Sequence, residues 1–530
     1  MTQSYDAIVV GGGHNGLVCA AYLADRFDRV LVLERRQIVG GAAVTEEVNP
    51  GFKYLSLSYV LSLFRPEIIE DLELRKYGYE FIPMTYSFNP FPDGRHLLLG
   101  GDNDEAEIAK FSERDAEAWP KYNAMVAKLA DVLRPMMNAA PPELDKIQMG
   151  QLLEMKPMAK ALKGLSRFAR SQFAKAMTMS TSSFLDEWFE SEEIKTFLAA
   201  NGSIGIWGGP STPGTALVML HYAIGDVTGV PGVWGLVRGG NGAFSEAIAA
   251  SARARGAEIR TSADVARVRV RDGRAAGVTL STGEEIDAPI VASGADPRRT
   301  YLGMLDRSEL PPDFVSGIER YRTNGNSSKV NFSLSGLPSF TALPGNGPQL
   351  EGDIQLGGST REYLERAFDD FRYGEWSRQP YMDIVIPTLL DPGLAPAGKH
   401  VMSAAVKYTP FDLNRGWSDK RKEDFGDLVV DTIEKYAPGF SKLIEHRQVI
   451  SVQDYETEYG LSGGNISHGD MAFDQMFSMR PLLGWARYRS PIGGMYLCGA
   501  GAHPGGGIIG APGRNAAREI IKDNRFRTSR

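Results

Sequence analysis

Cysteine is scarce in this chain: its 530 residues include two, Cys19 and Cys498, which lie far apart with no C-x-x-C spacing. Dithiol redox chemistry needs a close pair with a reactive thiolate, so the sequence does not support that activity. Both cysteines fall in segments predicted to be regular structure, and we expect them to be small, buried apolar residues. The low count is compatible with a reducing compartment.

Other features are missing as well. No uninterrupted apolar run is long enough to span a bilayer, and there is no internal repeat or low-complexity tract. The net charge of −7 leaves no basic footprint for nucleic acid, and we expect no metal centre. The first predicted strand begins at about residue 5, which leaves no room for a cleavable targeting peptide. We therefore expect a cytoplasmic protein of two domains, with an oligomeric state that the sequence does not determine.

Glycine, in contrast, is abundant and is regularly spaced near the N-terminus. An apolar run at 5–10 leads directly into Gly11, Gly13 and Gly16, with G-x-G-x-x-G spacing. Gly11 allows a tight turn, Gly13 allows backbone to approach a pyrophosphate, and Gly16 allows a helix predicted over 17–24 to pack on the strand. His14 and Asn15 lie inside this turn, so we expect them to contact a dinucleotide.

A second apolar run, 30–33, ends in Glu34 about twenty residues further on, where a carboxylate accepts hydrogen bonds from ribose hydroxyls. An acid at this position argues against a ribose 2′-phosphate. Gly40 and Gly41 follow and suit a second close approach of backbone to the ligand. Further dinucleotide contacts are expected from Arg35, Gly41, Ala42 and Ala43, with Ser58 and Tyr59 at a flavin edge.

The far end of the chain indicates which dinucleotide is bound. Residues 493–521 predict a strand at 495–498, a glycine-rich turn and a helix that begins near Ala511 or Pro512. Nicotinamide dehydrogenase domains do not need such a closing unit. Large flavoproteins do, because the helix N-terminus favours negative charge on reduced flavin. The sequence therefore predicts FAD, with contacts from Gly499, Gly501, Gly510, Ala511 and Pro512.

A central segment completes the predicted dinucleotide-binding domain. Residues 239–242 are rich in glycine and open a helix at 243–255, followed by strands at 258–260, 265–270 and 290–293. Val265 and Gly294 are expected to lie beside the cofactor.

Six motifs together resemble the phytoene-desaturase-like FAD oxidoreductases, from the first strand to the last helix. They are GGGHNG, LERR followed by VGGAAVTEEVNPGFKYLSLSYVLSLFRPEI, GGNGAFSEAI, SGADPRRT, GGNISHGDMAFDQ and HPGGGIIGAPGRNAA. The resemblance implies an α/β fold with a Rossmann-type FAD-binding domain, as in glutathione-reductase-like flavoproteins of the phytoene desaturase and amine oxidase type. It also implies a discontinuous substrate domain with a mixed sheet and helices. Known members include carotenoid desaturases, carotenoid isomerases and a retinol saturase.

The predicted domains are interleaved along the chain. Residues 1–65, 230–300 and 480–530 form the FAD-binding domain, while 66–229 and 301–479 form the substrate domain. The first insertion is mainly helical, with a helix at 116–137. The second has strands at 329–334, 381–387 and 400–407 and a helix at 422–436. We expect a mixed sheet covered by helices on one side.

Three residues are candidates for catalysis. His503 lies in the turn before the last helix and His468 lies in GGNISHG; a neutral imidazole at either position could move a substrate proton. Each could equally be a structural hydrogen-bonding residue, and we favour a bracing role for His503. Lys329 begins an apolar strand and is similar to a lysine that related amine oxidases hold near flavin N5.

Two segments of the first insertion bear on the substrate. Residues 196–225 contain no Asp, Glu, Lys or Arg and many glycines, which indicates either ordinary core or apolar backbone around a cavity. Residues 156–175 interleave six cations with apolar residues and predict a basic amphipathic helix. Such a helix can contact an anionic membrane or an acidic partner, or can be a solvated face.

The sequence thus predicts an FAD-dependent oxidoreductase that transfers a hydride or two electrons from an apolar small molecule, isoprenoid or lipid-like. No second strand-turn-helix unit with G-x-G-x-x-G is evident, so we expect no dedicated NAD(P)H domain, and oxygen, a quinone or another acceptor would reoxidise the flavin. Two alternatives stay open. One is a flavin-dependent isomerase or saturase, and the other is a flavin-containing binding or regulatory protein with little redox activity.

Overall fold

The computed structural model describes residues 4–144, 149–227, 232–358 and 360–525. The strands are β1 (Ala7–Val10), β2 (Val30–Leu33), β3 (Thr45–Asn49), β4 (Phe52–Leu55), β5 (Phe81–Met84), β6 (Ser87–Pro90), β7 (His96–Leu99), β8 (Trp234–Val237), β9 (Ala257–Arg260), β10 (Val265–Arg271), β11 (Arg274–Leu280), β12 (Glu285–Asp287), β13 (Val291–Ser293), β14 (Ser327–Leu334), β15 (Asp353–Leu356), β16 (Met382–Val385), β17 (His400–Lys407), β18 (Ile444–Ile450) and β19 (Met495–Leu497). The helices are α1 (His14–Ala24), α2 (Pro66–Asp71), α3 (Asp104–Ala109), α4 (Glu113–Met137), α5 (Met149–Glu154), α6 (Lys156–Gly164), α7 (Arg167–Thr178), α8 (Thr181–Asp186), α9 (Glu192–Ala199), α10 (Thr215–Tyr222), α11 (Gly240–Ala254), α12 (Pro312–Glu319), α13 (Arg361–Arg372), α14 (Asp419–Tyr436), α15 (Val452–Thr457) and α16 (Ala511–Asp523).

A five-stranded parallel sheet, in the order β19-β13-β1-β2-β9, forms the centre of the dinucleotide-binding part. The residues of β1 and β2 are all buried, as expected for parallel strands that are covered on both faces. Helices α1, α11 and α16 pack on this sheet. Segments from the start, middle and end of the chain therefore meet in one core, which confirms the predicted Rossmann-type fold. A three-stranded antiparallel sheet, β10-β11-β12, is attached to it.

A seven-stranded mixed sheet, in the order β18-β14-β17-β16-β15-β6-β7, forms the second part. Strands β14 and β17 are antiparallel, and Ser327 pairs with Lys407. Helix α14 packs its buried residues Phe425, Val429 and Ile433 against one face. The predicted mixed sheet with a helix on one side is confirmed, and the strand predicted at 400–407 has those bounds.

The first insertion is predicted to be mainly helical, but the structure shows that it contains strands too. It supplies β6 and β7, which complete the seven-stranded sheet, and β5, which pairs with β8. Its first residues belong elsewhere, because Ile68, Ile69 and Leu72 pack in the core of the dinucleotide-binding part. The boundary predicted at 65/66 therefore precedes the end of that core, and the one predicted at 229/230 lies outside the described residues.

The rest of the first insertion is a helical layer around α4, whose predicted span of 116–137 is confirmed within a helix that begins at Glu113. The prediction of one basic helix over 156–175 is wrong. Helix α6 ends at Gly164, and Ser166 caps α7 by accepting a hydrogen bond from the Ala169 amide. Serine at an N-cap satisfies a backbone donor that would otherwise lack a partner, so it starts a new helix. No helix in the described ranges is both long and apolar enough to cross a membrane.

Candidate functional site

A large cavity lies where the parallel sheet, the seven-stranded sheet and the helical layer meet. The turn after β1 lines one end, and β14 and β17 contribute Ser327, Lys329, Ala405 and Lys407 to another wall. These four positions alternate along the paired strands, so their side chains share one face of the sheet. The predicted site residues that line the cavity are Gly11, Gly13, His14, Asn15, Gly16, Glu34, Arg35, Gly41, Ala42, Ser58, Tyr59, Val265, Gly294, Lys329 and His468.

The glycines of the first turn have the geometry that the motif predicts. Gly11 has φ +94°, which favours glycine. A Cβ on Gly16 would lie 2.2 Å from the Gly11 carbonyl oxygen, so a side chain there would separate α1 from β1. A Cβ on Gly13 would meet no protein atom closer than 3.9 Å, so the space beside Gly13 is open to a ligand. That space lies at the N-terminus of α1, where phosphate groups bind favourably.

Glu34 is buried at the end of β2 and faces the same turn. Its Oε2 accepts a hydrogen bond from the Gly12 amide at 2.7 Å, and its Oε1 accepts one from the Arg36 amide at 2.8 Å. Each carboxylate oxygen can accept a further bond, so the side chain can both order the turn and bind ribose hydroxyls.

Several polar atoms of the cavity wall support the presence of a bound dinucleotide. His14 Nε2, Asn15 Oδ1, Lys329 Nζ and His468 Nδ1 are buried and have no hydrogen-bond partner among the described residues. Buried polar groups are nearly always hydrogen-bonded in native proteins. These atoms, together with the open space at Gly13, fit a long polar ligand such as FAD.

The remaining predicted cofactor residues are not part of the cavity wall. They are Ala43, Gly499, Gly501, Gly510, Ala511 and Pro512. Their role in the structure is close packing: a Cβ on Gly499 would lie 2.3 Å from the Gly294 carbonyl oxygen, and one on Gly501 would lie 2.3 Å from Pro297. Gly510 has φ +72° and begins α16 beside Phe64. The preceding residues Gly507 and Ile508 do line the cavity.

His468 is brought to the cavity, next to His14. Its backbone is in the left-handed region, with φ +58°, which is uncommon for a residue other than glycine. Burial and the positive charge of Arg480 lower the pKa of His468, and the negative charge of Asp296 opposes this. Burial and the neighbouring His468 lower the pKa of His14 to about 3. Both imidazoles are therefore neutral at physiological pH, and a neutral imidazole can accept a proton.

His503 is fully buried but is not in the cavity wall. Its Nε2 is 2.9 Å from the Met136 carbonyl oxygen at the end of α4, and burial lowers its pKa to about 4. This placement fits the bracing role better than acid–base chemistry. A third buried histidine, His221, contacts the Gly506 carbonyl oxygen at 3.2 Å from the other side of the same loop.

Lys329 lies deep in the cavity wall, with its Nζ 3.6 Å from the ring centroid of Tyr59. Burial and the neighbouring Lys407 lower its pKa. Lys407 instead pairs with Asp383 at 3.4 Å. A buried amine with a lowered pKa can accept or donate a proton near neutral pH.

The two cysteines are both fully buried, which confirms their prediction as buried residues. Their separation holds only along the sequence, however. A hydrogen bond with Cys498 and burial raise the pKa of the Cys19 thiol, so the two thiols are neighbours in the fold. Neither lines the cavity, and a buried thiol with a raised pKa is not a nucleophile.

Sequence reasoning missed several residues of the cavity wall. Ile204, Tyr222 and Trp234 come from distant segments, and the rings of Tyr222 and Trp234 stack with centroids 5.9 Å apart. The uncharged stretch 196–225 contributes two of these residues, whereas most of α10 is buried helical core. Both interpretations of that stretch therefore hold in part. Lys407 carried no signal of its own, because only the pairing of β14 with β17 places it beside Lys329.

Comparison with known proteins agrees with this geometry. The profile of flavin containing amine oxidoreductases matches residues 145–521, and that of the NAD(P)-binding Rossmann-like domain matches residues 9–71. The chain belongs to the flavin-containing amine oxidoreductase family. It is an FAD-dependent oxidoreductase, and its expected resemblance to phytoene-desaturase-like enzymes is confirmed.

Individual relatives extend over nearly the whole chain. The "pyridine nucleotide-disulfide oxidoreductase domain-containing protein 2" of Rattus norvegicus is 42% identical, covering 99% of this chain and 94% of its own length. A lycopene-forming phytoene desaturase of Pseudescherichia vulneris is 25% identical over 97% of this chain and 99% of its own length. A solved structure of putrescine oxidase bound to putrescine has a TM-score of 0.61 at 15% identity, covering 99% of this chain and 100% of that one. This last likeness shows the shared fold.

When bound, FAD supplies the two-electron chemistry of the site. The turn from Gly11 to Gly16 would hold its pyrophosphate, and Glu34 would hold a ribose. Tyr59, Lys329 and His468 surround the other part of the cavity, where protein groups can orient a substrate, exclude water and hold or move a proton.

Proposed function

We propose that this protein oxidises an uncharged apolar small molecule, isoprenoid or lipid-like, by transferring a hydride or two electrons to FAD. The observation that supports the proposal is that the cavity wall beyond the dinucleotide end is mainly apolar and aromatic. Its apolar and aromatic lining includes Leu57, Tyr59, Val60, Ile204, Tyr222, Trp234, Ile466 and Ile508.

The charges of the wall support an uncharged substrate over a cationic amine. Among the described residues that line the cavity, the carboxylates are Glu34 and Asp264, both at the dinucleotide end beside β2 and β10. The other part contains Lys329 and Lys407. Lys407 is already paired with Asp383, and the pKa of Lys329 is lowered, so this part of the wall offers a protonated amine no unpaired carboxylate, which disfavours its binding. The relative that is a phytoene desaturase supports the same substrate class.

In this proposal, His468 and Lys329 are the groups that move or hold a proton, and oxygen, a quinone or another acceptor reoxidises the flavin. His468 is favoured as the acid–base residue because its imidazole is neutral and lines the cavity.

Rapid anaerobic mixing tests the proposal. Isoprenoids and fatty-acyl compounds are mixed with FAD-loaded protein, with diamines and monoamines as the matched set. We expect an apolar compound to bleach the oxidised flavin and the amines to leave it unchanged. Bleaching by amines alone would contradict the proposed substrate class. Turnover only after prior reduction of the flavin would replace oxidation with isomerisation or saturation.

The exposed face of α6 and α7 supports a second proposal, that the protein contacts an anionic membrane from which an apolar substrate can be drawn. We call this face the basic surface and define it by five exposed cations, Lys156, Lys160, Lys163, Arg167 and Arg170. None of the five forms an ion pair with the described residues. Leu153 in the preceding helix α5 and Phe168 in α7 are 52% and 57% exposed. Exposed apolar side chains among unpaired cations are typical of interfacial helices.

A further inference from the structure

Arg480 is the largest fully buried side chain among the residues that the structure describes, with 0% exposure. It forms no ion pair with the described residues, although a buried charge is usually paired. All of its N–H groups are instead directed at backbone carbonyl oxygens. Nε donates to Ala500 at 2.9 Å, and Nη1 donates to Asp470 and Gln475 at 3.1 and 3.0 Å.

The remaining nitrogen, Nη2, donates to the carbonyl oxygens of Ser467 at 2.5 Å and Gly469 at 3.3 Å. These are the two residues on either side of His468. Asn465 acts on the same two residues, because its Oδ1 accepts hydrogen bonds from the amides of Ser467 at 2.8 Å and Gly469 at 3.2 Å. The backbone around His468 is thus held through both its carbonyls and its amides.

We propose that Arg480 is a positioning residue for His468: its guanidinium holds the carbonyls on both sides of that residue and so directs the imidazole into the cavity. The left-handed backbone of His468 is unfavourable for a residue with a Cβ and persists only where surrounding contacts fix it. A planar guanidinium can hold several carbonyls at fixed angles, which a lysine ammonium cannot.

The charge of Arg480 has a second effect on the same residue. Three groups face His468: His14 in α1, Asp296 after β13, and Arg480 before β19. Asp296 favours the protonated imidazole, and Arg480 disfavours it. Arg480 also disfavours protonation of His221 and of His503. Its effect on them is smaller than those of burial and of their backbone hydrogen bonds. Burial is the largest cause of the lowered pKa of each of these histidines, and the charge of the buried guanidinium acts in the same direction.

The inference deepens the role that the proposed function gives to His468, but its test needs no substrate. Histidine labelled with ¹³C at Cε1 is introduced into the FAD-loaded protein, and His468→Gln assigns the His468 signal. The signal is followed from pH 8 to pH 5 in wild type, Arg480→Lys and Arg480→Gln. Arg487→Gln is the matched control, since Arg487 is also buried but pairs with Glu154 and Glu519 away from the cavity.

We expect the His468 midpoint to lie below its ordinary value in wild type. Arg480→Lys retains the charge but cannot hold the carbonyls at fixed angles, so its His468 signal should move from the wild-type position while its midpoint stays below that of Arg480→Gln. In Arg480→Gln the midpoint should rise by about 1 pH unit, because removal of a nearby positive charge favours the protonated form. Thermal stability should fall in both Arg480 variants, and Arg487→Gln should lose stability without moving the midpoint.

Equal midpoints in Arg480→Lys and Arg480→Gln would overturn the charge effect. If Arg480→Gln does not fold, Arg480→Lys alone decides: a His468 signal and midpoint identical to those of wild type would overturn the positioning role. Failure of this test would leave the proposed oxidation of an apolar substrate intact, because no step of the measurement involves turnover.

Discussion

The two ends of the cavity differ in what forms their walls. At the dinucleotide end the wall is mainly backbone, at Gly11, Gly13, Gly41 and Gly294, with Glu34 as its buried carboxylate. At the other end it is mainly side chains, from two strands of the seven-stranded sheet, the helical layer and the loop around His468. Cofactor binding therefore depends on open space beside glycine backbone, which a single Cβ can fill. Chemistry and substrate choice depend on individual side chains, each of which can be replaced separately. Side chains added to the glycine backbone at the first end should therefore abolish binding, and exchanges of side chains should give graded effects.

The largest effect is expected for Gly13→Val. The side chain would fill the space beside Gly13 that the protein leaves open, so the pyrophosphate could not approach. We expect colourless protein that FAD does not reconstitute. Gly164→Val is the control. A Cβ on Gly164 would meet no atom within 4 Å, and Gly164 does not line the cavity. Full FAD content in Gly13→Val would show that the pyrophosphate binds elsewhere.

At the substrate end, His468→Gln should lower the rate of flavin reduction by about 100-fold or more while FAD stays bound. Neutral imidazole is the active form of a base, and the pKa of His468 is lowered, so the wild-type rate should fall only as the pH drops through that lowered value. The variant should lack this limb of the pH profile. His503→Gln is the comparison: it should lower thermal stability and keep the reduction rate per bound flavin. Stopped-flow rates that are equal in wild type and His468→Gln would remove His468 from the mechanism.

An intermediate effect is expected for Glu34→Ala. Loss of charge-assisted hydrogen bonds costs about 1.5–3 kcal/mol, or about 10- to 150-fold in FAD affinity. Glu34 also orders the Gly12 and Arg36 amides, so Glu34→Gln, which retains one acceptor oxygen, should lose less. Fluorescence titration of the apoprotein with FAD measures both. Unchanged affinity in Glu34→Ala would mean that this carboxylate supports the turn alone.

The smallest effect concerns the basic surface, which lies outside the cavity. Wild-type protein should sediment with anionic vesicles at low salt and dissociate progressively as added salt shortens the Debye length, which is about 8 Å at physiological ionic strength. Replacing Lys160, Lys163 and Arg167 by Glu should remove binding and leave the flavin spectrum unchanged. Neutral vesicles are the control. An absence of binding at every salt concentration would return α6 and α7 to an ordinary solvated face.

Local patterns were enough to predict much of the fold. Strands β2 and β17 have their predicted bounds, and α16 begins where a proline in the first turn indicates. Each of these elements depends on residues close together in the sequence. The break between α6 and α7 also had a local signal, the N-capping Ser166, which the amphipathic pattern of the whole stretch obscured.

The rest of the site could not be predicted, because it depends on contacts between distant segments. Cys19 and Cys498 become neighbours only when α1 packs beside the closing strand. His503 faces the end of α4 and not the cavity, since Met136 supplies a carbonyl that no motif encodes. Arg480 carries no signal of function in the sequence, and its role follows only from the carbonyl groups that surround it.

A crystal structure of the FAD-loaded protein tests the central claim most directly, that one cavity holds the FAD pyrophosphate at its backbone-lined end and the flavin ring, beside the substrate, at its side-chain-lined end. The account predicts the pyrophosphate against the backbone of Gly13 and the flavin ring in the space bounded by Tyr59, Lys329 and His468. A pyrophosphate bound away from Gly13, or a flavin ring outside that space, would contradict it.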